Sequence, residues 1–217
     1  MTHSLLSGVE VCIWDVDGTL YHTRDLGTHV EESAYSAIMN VMGMTHEEAV
    51  EKFSKVHHVI TESATEAVSL ICRISVGDAA KLTDKYLDRM QFVDRDEKLI
   101  ALFESLRGLD HYILGNGSIG FIEEALDVLG LDRSIFKDIV TSEIVGRNKP
   151  NPAGYTYIMD KTGKYPGAHL MIGDREMVDL RMAKELGMKT ALVFATEKST
   201  LADVTLPTVY ELSQLLY

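Results

Sequence analysis

The chain has 217 residues, 46% of them hydrophobic and 25% charged, which suits one domain of generous size or a core with a smaller insert. With 33 acidic against 21 basic residues and a net charge of −12, it is a poor partner for a nucleic-acid backbone. Small anionic substrates stay open, because metal ions and local fields decide those. No apolar run approaches the roughly 20 residues that span a bilayer. The stretch from Met1 to Val9 lacks the basic and apolar parts of a signal peptide. Two cysteines, Cys12 and Cys72, make no disulfide framework. A cytoplasmic, reduced protein with no nucleic-acid or membrane partner is expected; the oligomeric state is not legible.

The first expected element is a strand over residues 9–14, a short apolar run that ends directly in turn chemistry. Asp15 and Asp17 stand at its carboxyl end, followed by Gly18. Strand periodicity sets both carboxylates on one face, whereas a turn at Gly18 swings Asp17 away. Buried carboxylates are costly to keep ionised without a cationic partner, and the carboxyl edge of an open α/β sheet is where ligands bind. An Asp-rich turn capping the next segment is the plain alternative.

Helical patterns follow. Val30, Ala34, Ile38 and Val41 recur at helical spacing, and Gly43 is placed to end that helix. Thr45 and Glu48 read as a capping box for a segment carrying Ala49, Phe53, Val56 and Ile60. On that segment His57 and His58 are neighbours that point in different directions, ordinary helix residues rather than metal ligands. Ser63 and Glu66 repeat the capping signal ahead of Val68, Ile71 and Ile74. Asp78 precedes a fourth segment with Ala79, Leu82, Tyr86 and Met90. No strand pattern interrupts residues 22–94, which are expected to form a helical insert between 1–21 and 95–217.

From residue 95, helix and strand alternate. A helix over 97–106 precedes a strand over 111–114, which runs into Gly115, Asn116, Gly117 and Ser118. A helix over 119–129 stops at Gly130, and a short strand over 139–141 leads to a loop over 143–151. Asn151 is the expected cap of the next helix, with Pro152 in its first turn. A strand over 169–172 reaches Gly173 and Asp174, a helix over 176–186 closes at Gly187, and a strand covers 190–194. A short edge strand over 207–210 precedes a final helix. Strands separated by helices imply a doubly wound parallel sheet, α/β in class.

In such a sheet Asp15/Asp17, Asn116/Ser118, Lys149 and Asp174/Asp179 converge on one edge. Two carboxylates from the first strand with Asp174 make a hard oxygen site suited to Mg²⁺. Lys149 supplies a fixed charge that can meet a carboxylate and a phosphate oxygen together. Phosphoryl transfer needs an anionic nucleophile, a proton donor for the leaving oxygen, and cations that neutralise developing charge.

These motifs resemble the haloacid dehalogenase (HAD) superfamily. Its first motif appears as Asp15-Val16-Asp17-Gly18-Thr19-Leu20, its third as Lys149-Pro150-Asn151-Pro152 flanked by Gly146 and Tyr155, and its fourth as Gly173-Asp174 continuing to Asp179. The resemblance covers residues 9–21 and 95–195, and for the insert only its position, which is that of a helical C1 cap; the span from Asn116 to Lys149 leaves little room for a C2 cap. It implies a HAD-like Rossmannoid core and a Mg²⁺-dependent phosphatase acting on a small phosphorylated metabolite such as phosphoglycolate, a sugar phosphate or a nucleoside monophosphate. Asp15 becomes the nucleophile and Asp17 the acid and base. Lys149 orients the nucleophile, and Asp15, the Asp17 backbone carbonyl and Asp174 hold the metal. Asp179 completes that site or acts from behind it.

The second motif departs from the family pattern. Gly115 stands where the family has Ser or Thr, leaving Asn116, Gly117 and Ser118 to contact phosphate. Ser118 also reads as a plain helix cap, and Asp179 as a surface acid paired with Arg175 or Lys184. His22, Arg24 and His29 follow the first motif and face either substrate or solvent. The family's dehalogenases and phosphonatases generally lack the aspartate at position 17, so its presence here argues against both. A phosphomutase, or a phosphate sensor with residual catalysis suggested by Gly115, remains as an alternative.

Overall fold

The protein is described here from a computed structural model covering residues 6–22 and 26–216. Among these residues a six-stranded parallel sheet carries β1 (Val11–Trp14), β2 (Asp110–Leu114), β3 (Phe136–Val140), β4 (His169–Gly173), β5 (Lys189–Leu192) and β6 (Val204–Thr205). The spatial order is β3-β2-β1-β4-β5-β6. β1 is central, its Trp14 level with Ile113 of β2 and Ile172 of β4. That register aligns the residues following β1, β2 and β4 along one edge.

The unbroken apolar run of β1 is explained by burial on both sides. Cys12 and Trp14 pack with Leu99, Phe103, Ile122 and Leu126 on one face, and Val11 and Ile13 with Tyr155, Ile158, Leu180 and Ala183 on the other. Each face is thus sealed by helices, so strand periodicity is hidden in an all-apolar sequence. Trp14 also donates its indole N–H to His111 Nδ1 at 3.1 Å, with the Phe103 ring 4.7 Å away.

The insert holds α1 (Leu26–Met42), α2 (His46–Ser54), α3 (Ala64–Cys72) and α4 (Val76–Asp84). They enclose their own apolar cluster of Ala34, Ile38, Ala49, Phe53, Ala67, Val68 and Ala79. The Thr45–Glu48 capping box forms as expected, and Ser63 caps α3 by accepting from Glu66 N at 3.3 Å. α4 starts earlier than its expected signal: Ser75 is the cap, and Asp78 lies within the first turn. It ends at Asp84, so Tyr86 and Met90 do not continue it; Met90 belongs to a separate 3₁₀ turn, Arg89–Phe92.

The remaining helices are α5 (Glu97–Ser105), α6 (Ile119–Leu129), α7 (Ser142–Val145), α8 (Ala153–Thr162) and α9 (Arg181–Glu185). α7 falls in an expected loop; Thr141 caps it and Gly146, at φ +72°, ends it. The cap of α8 is Pro152 rather than Asn151, because the helix begins one residue later than expected; Asn151 Oδ1 accepts from Ala153 N at 3.0 Å in the turn that leads into it. A π turn, Glu176–Leu180, replaces the first half of the helix expected over 176–186. The last strand is β6, not residues 207–210. There, Thr208 and Glu211 form a capping box that starts a 3₁₀ helix, Val209–Gln214.

Candidate active site

The site begins where β1 stops. Gly18 has φ +88°, and any Cβ there would run into the Asp174 carboxylate, so the loop after β1 can approach the end of β4 only with glycine. This turn parts the two aspartates. Asp15 points inward, 3% exposed, with Lys149 Nζ 2.5 Å from Oδ1 and the Thr19 hydroxyl donating to Oδ2 at 3.1 Å. Asp17 faces the other way. Its Oδ1 accepts from the Tyr21 hydroxyl, and its Oδ2 lies 3.4 Å from Arg89 Nε.

Lys149 is held by its backbone and its head. Its N–H donates to Asn116 Oδ1 at 2.8 Å, and its carbonyl accepts from Asn116 Nδ2 at 3.1 Å. The ammonium lies between Asp15 and Asp179, 2.8 Å from Asp179 Oδ1. Burial alone pushes its pKa down, but the two carboxylates outweigh that and hold it above the ordinary lysine value.

Asp174 follows β4 directly, and the π turn brings Asp179 back beneath it; a Cβ on Gly173 would stand 2.5 Å from that of Asp179. Asp179 is fully buried and accepts from Arg175 N at 3.0 Å. The alternative surface pairing with Lys184 does not occur, since Lys184 binds Asp203 at 2.5 Å. π turns recur at functional sites because they re-aim one side chain, and here that side chain is Asp179.

Asp15, Asp174 and Asp179 place one carboxylate oxygen each within 4.8 Å of one another. Burial, then the charges of Asp15 and Asp179, raise the Asp174 carboxyl to about 8. Burial and Asp15 also raise Asp179, opposed by Lys149 and Arg175. Asp174 Oδ1 is buried without a hydrogen-bond partner. An all-oxygen donor set with an orphaned buried oxygen suits a hard divalent cation. The Asp17 carboxylate lies outside this cluster, toward Tyr21 and Arg89.

Above the carboxylates lies a cavity of about 440 Å³. Asp17, Gly18, Asn116, Asp174 and Arg175 line its core side, and Glu31, His57, His58, Glu62 and Thr65 the side of the insert. Asn116 therefore reaches the cavity, although its amide is committed to the Lys149 backbone. Gly117 and Ser118 do not line it. The Ser118 hydroxyl caps α6 by accepting from Phe121 N at 3.3 Å, and its N–H donates to Asp84. His22 lines the cavity, stacked 4.5 Å from Phe194, while His29 packs on Phe92 instead. Arg24 lies outside the described residues.

His57 and His58 behave differently from the sequence expectation. α2 ends at Ser54, and the two imidazoles sit in the following turn with ring centroids 3.8 Å apart. Three further site residues escape sequence reasoning. Arg89 is 6% exposed, binds Asp84 and Asp17, and lies 4.3 Å over the Phe121 ring; as a lone arginine outside any motif, it gives no signal. Tyr21, four residues from Asp17, has its hydroxyl pKa raised by burial and then by Asp17, keeping it a donor. Asn148, beside Lys149, donates to Ser63 Oγ at 2.9 Å and joins the insert to the core.

A family model described as haloacid dehalogenase-like hydrolase matches residues 9–187. The glyceraldehyde 3-phosphate phosphatase of Methanopyrus kandleri is 25% identical over 197 residues, covering 85% of this chain and 84% of the relative. Phosphoglycolate phosphatase 1 of Pseudomonas aeruginosa is 26% identical over 138 residues, covering 62% of this chain and 46% of the relative. Among solved structures, a HAD phosphatase from Thermococcus onnurineus superposes with a TM-score of 0.68 at 21% identity, covering 96% of this chain and 98% of the other; that likeness shows a shared fold. With the first-motif aspartates, the buried lysine and the β4 carboxylates at one sheet edge, the chain belongs to the haloacid dehalogenase-like hydrolase family.

Proposed function

We propose that this hydrolase is a Mg²⁺-dependent phosphatase of a small phosphorylated metabolite, working through an aspartyl-phosphate on Asp15. One observation carries the reading: Asp15 is clamped by Lys149 and Thr19, with a carboxylate oxygen within 4.8 Å of one on Asp174, and Asp174 and Asp17 both line the adjoining cavity. Asp15 Oδ attacks phosphorus, and the bond from phosphorus to the substrate's ester oxygen breaks. The leaving oxygen takes its proton from Asp17. Water then attacks the same phosphorus, giving its proton to Asp17, and releases inorganic phosphate and free Asp15. Lys149 fixes the nucleophile's orientation and offsets phosphate charge. Asp15, Asp174 and the Asp17 carbonyl would hold Mg²⁺, with Asp179 completing the set or orienting it. When bound, the ion supplies positive charge against the phosphoryl oxygens.

The helices of residues 22–94 act in this reading as a cap that excludes bulk water and selects the leaving group. Both curated relatives are named for small phosphate esters, glyceraldehyde 3-phosphate and phosphoglycolate, which supports a substrate of that size. The deciding experiment measures phosphate release from an aryl phosphate with and without Mg²⁺, alongside Asp15→Asn. Multiple turnover that needs Mg²⁺ and disappears in Asp15→Asn is the expected result. Wild-type binding of phosphate without turnover would sink the proposal in favour of a sensor, and isomerisation of sugar phosphates without net release in favour of a mutase.

A further inference from the structure

The wall of the cavity opposite the carboxylates carries a second cluster of quite different chemistry. Glu31 of α1 and His57 and His58 of the turn after α2 each offer a ligand atom, all within 4.8 Å of one another. Adjacent residues rarely aim their side chains together, and the backbone here does something uncommon to achieve it. His58 adopts φ +60°, a left-handed conformation unfavourable for a residue with a Cβ, inside a tight turn where its N–H donates to Thr61 O at 2.9 Å. The result is two imidazoles 3.8 Å apart at an interplanar angle of 39°. Outliers of this kind persist where the surrounding structure over-determines them, and they gather at ligand sites.

A carboxylate stands behind one ring: His58 Nδ1 is 3.0 Å from Glu62 Oε2. A carboxylate bonded to one imidazole nitrogen fixes the tautomer and orients the ring, the usual arrangement behind a metal-ligating histidine. Glu31 is steadied in turn by the Tyr35 hydroxyl at 3.3 Å. Two imidazoles with one carboxylate are the donor set of borderline cations such as Zn²⁺, Co²⁺ or Ni²⁺. The Asp15–Asp174–Asp179 cluster, all oxygen, suits Mg²⁺ instead.

We propose that Glu31, His57 and His58 form a second cation site, specific for a Zn²⁺-class metal, on the insert side of the cavity. Glu62 is its positioning residue. Because all four residues line the cavity, the ion's remaining coordination position opens toward whatever occupies it, so the site reads the distal part of a bound molecule through a donor oxygen. This inference stands independently of phosphatase activity.

The test uses the full chain in saturating Mg²⁺, with Co²⁺ as probe, followed by visible absorption and equilibrium dialysis and then displacement by Zn²⁺. One equivalent of Co²⁺ is expected, with ligand-field bands of a nitrogen–oxygen site. His57→Ala and the conservative Glu31→Gln should each abolish it, while Glu62→Gln weakens it roughly 10- to 100-fold. Asp174→Asn should leave it intact. Melting of each variant without metal checks folding, and Glu31→Gln keeps the test informative should His57→Ala disturb the turn. Absence of Co²⁺ binding in excess Mg²⁺ overturns the proposal. So does binding that survives both His57→Ala and Glu31→Gln but is lost in Asp174→Asn, since the ion would then lie in the carboxylate cluster.

Discussion

In the proposed site, metal binding at Asp174 is coupled to pH. Its carboxyl is raised to about 8 by burial and by the neighbouring Asp15 and Asp179, so around neutrality the folded protein holds a proton that the unfolded chain has already released. Without divalent cation, that contribution to stability is present at low pH and is lost as pH rises through the carboxylate range to about 8. Metal must displace the same proton. Denaturation midpoints measured from pH 6 to 9 should therefore show Mg²⁺-induced stabilisation growing with pH, and a constant Mg²⁺ increment would contradict the assignment. Gly115 is the other residue whose meaning changed. A Cβ there would meet Ile122 Cδ1 at 2.7 Å, so the position is filled from α6 by an isoleucine that is 1% exposed. Gly115→Ser should destabilise by about 1–3 kcal/mol through overpacking. Adding Ile122→Val removes the clashing methyl and should restore part of the loss, as read by urea denaturation. Position 115 is legible as a departure from the motif, but not the side chain that compensates for it.

At the scale of elements, the insert and core meet through polar contacts around α3. Ser63 caps α3 and also accepts from Asn148 Nδ2 at 2.9 Å, while Glu66 accepts from Asn148 N at 3.1 Å and from the Thr61 hydroxyl at 3.0 Å. Asn148 immediately precedes Lys149, so this one helix start supports the loop that carries Lys149. Ser63→Ala should cost about 1 kcal/mol as a lost cap, and in addition raise KM by loosening the Lys149 loop. A change in stability with unaltered kinetics would confine Ser63 to capping. Local signals located most elements: Thr45–Glu48, Ser63–Glu66, Ser118 and Gly130 all act within four residues along the chain, where sequence and structure coincide. The misread elements share a cause. Apolar spacing at Val56 and Ile60 extended α2 past Ser54, and Tyr86 and Met90 extended α4 past Asp84, because periodicity does not reveal where a backbone leaves the helix to satisfy tertiary contacts. The turn holding His57 and His58 is the consequence.

For the whole molecule, Asp17 lies on a cavity of about 440 Å³ that the insert lines on one side. A space this size admits a small phosphate ester but not a folded phosphoprotein. Assays of phosphate release should find turnover with low-molecular-weight monoesters and none with phosphorylated proteins; comparable rates on both would mean that the insert does not restrict access. The order of apolar strands and helices determined by itself the parallel sheet, and the motifs at strand ends placed Asp15, Asp17, Lys149 and Asp174 at one of its edges. Those follow from nearest-neighbour chemistry and from the rule that parallel strands bring their carboxyl ends together. Only the tertiary structure decided which carboxylates cluster, that Asn116 holds Lys149 while Ser118 caps α6, and that Arg89, Glu31 and the paired histidines face the same cavity. The physical reason is that the last set lies on different elements brought together by packing, and no spacing along the chain encodes a distance across a cleft.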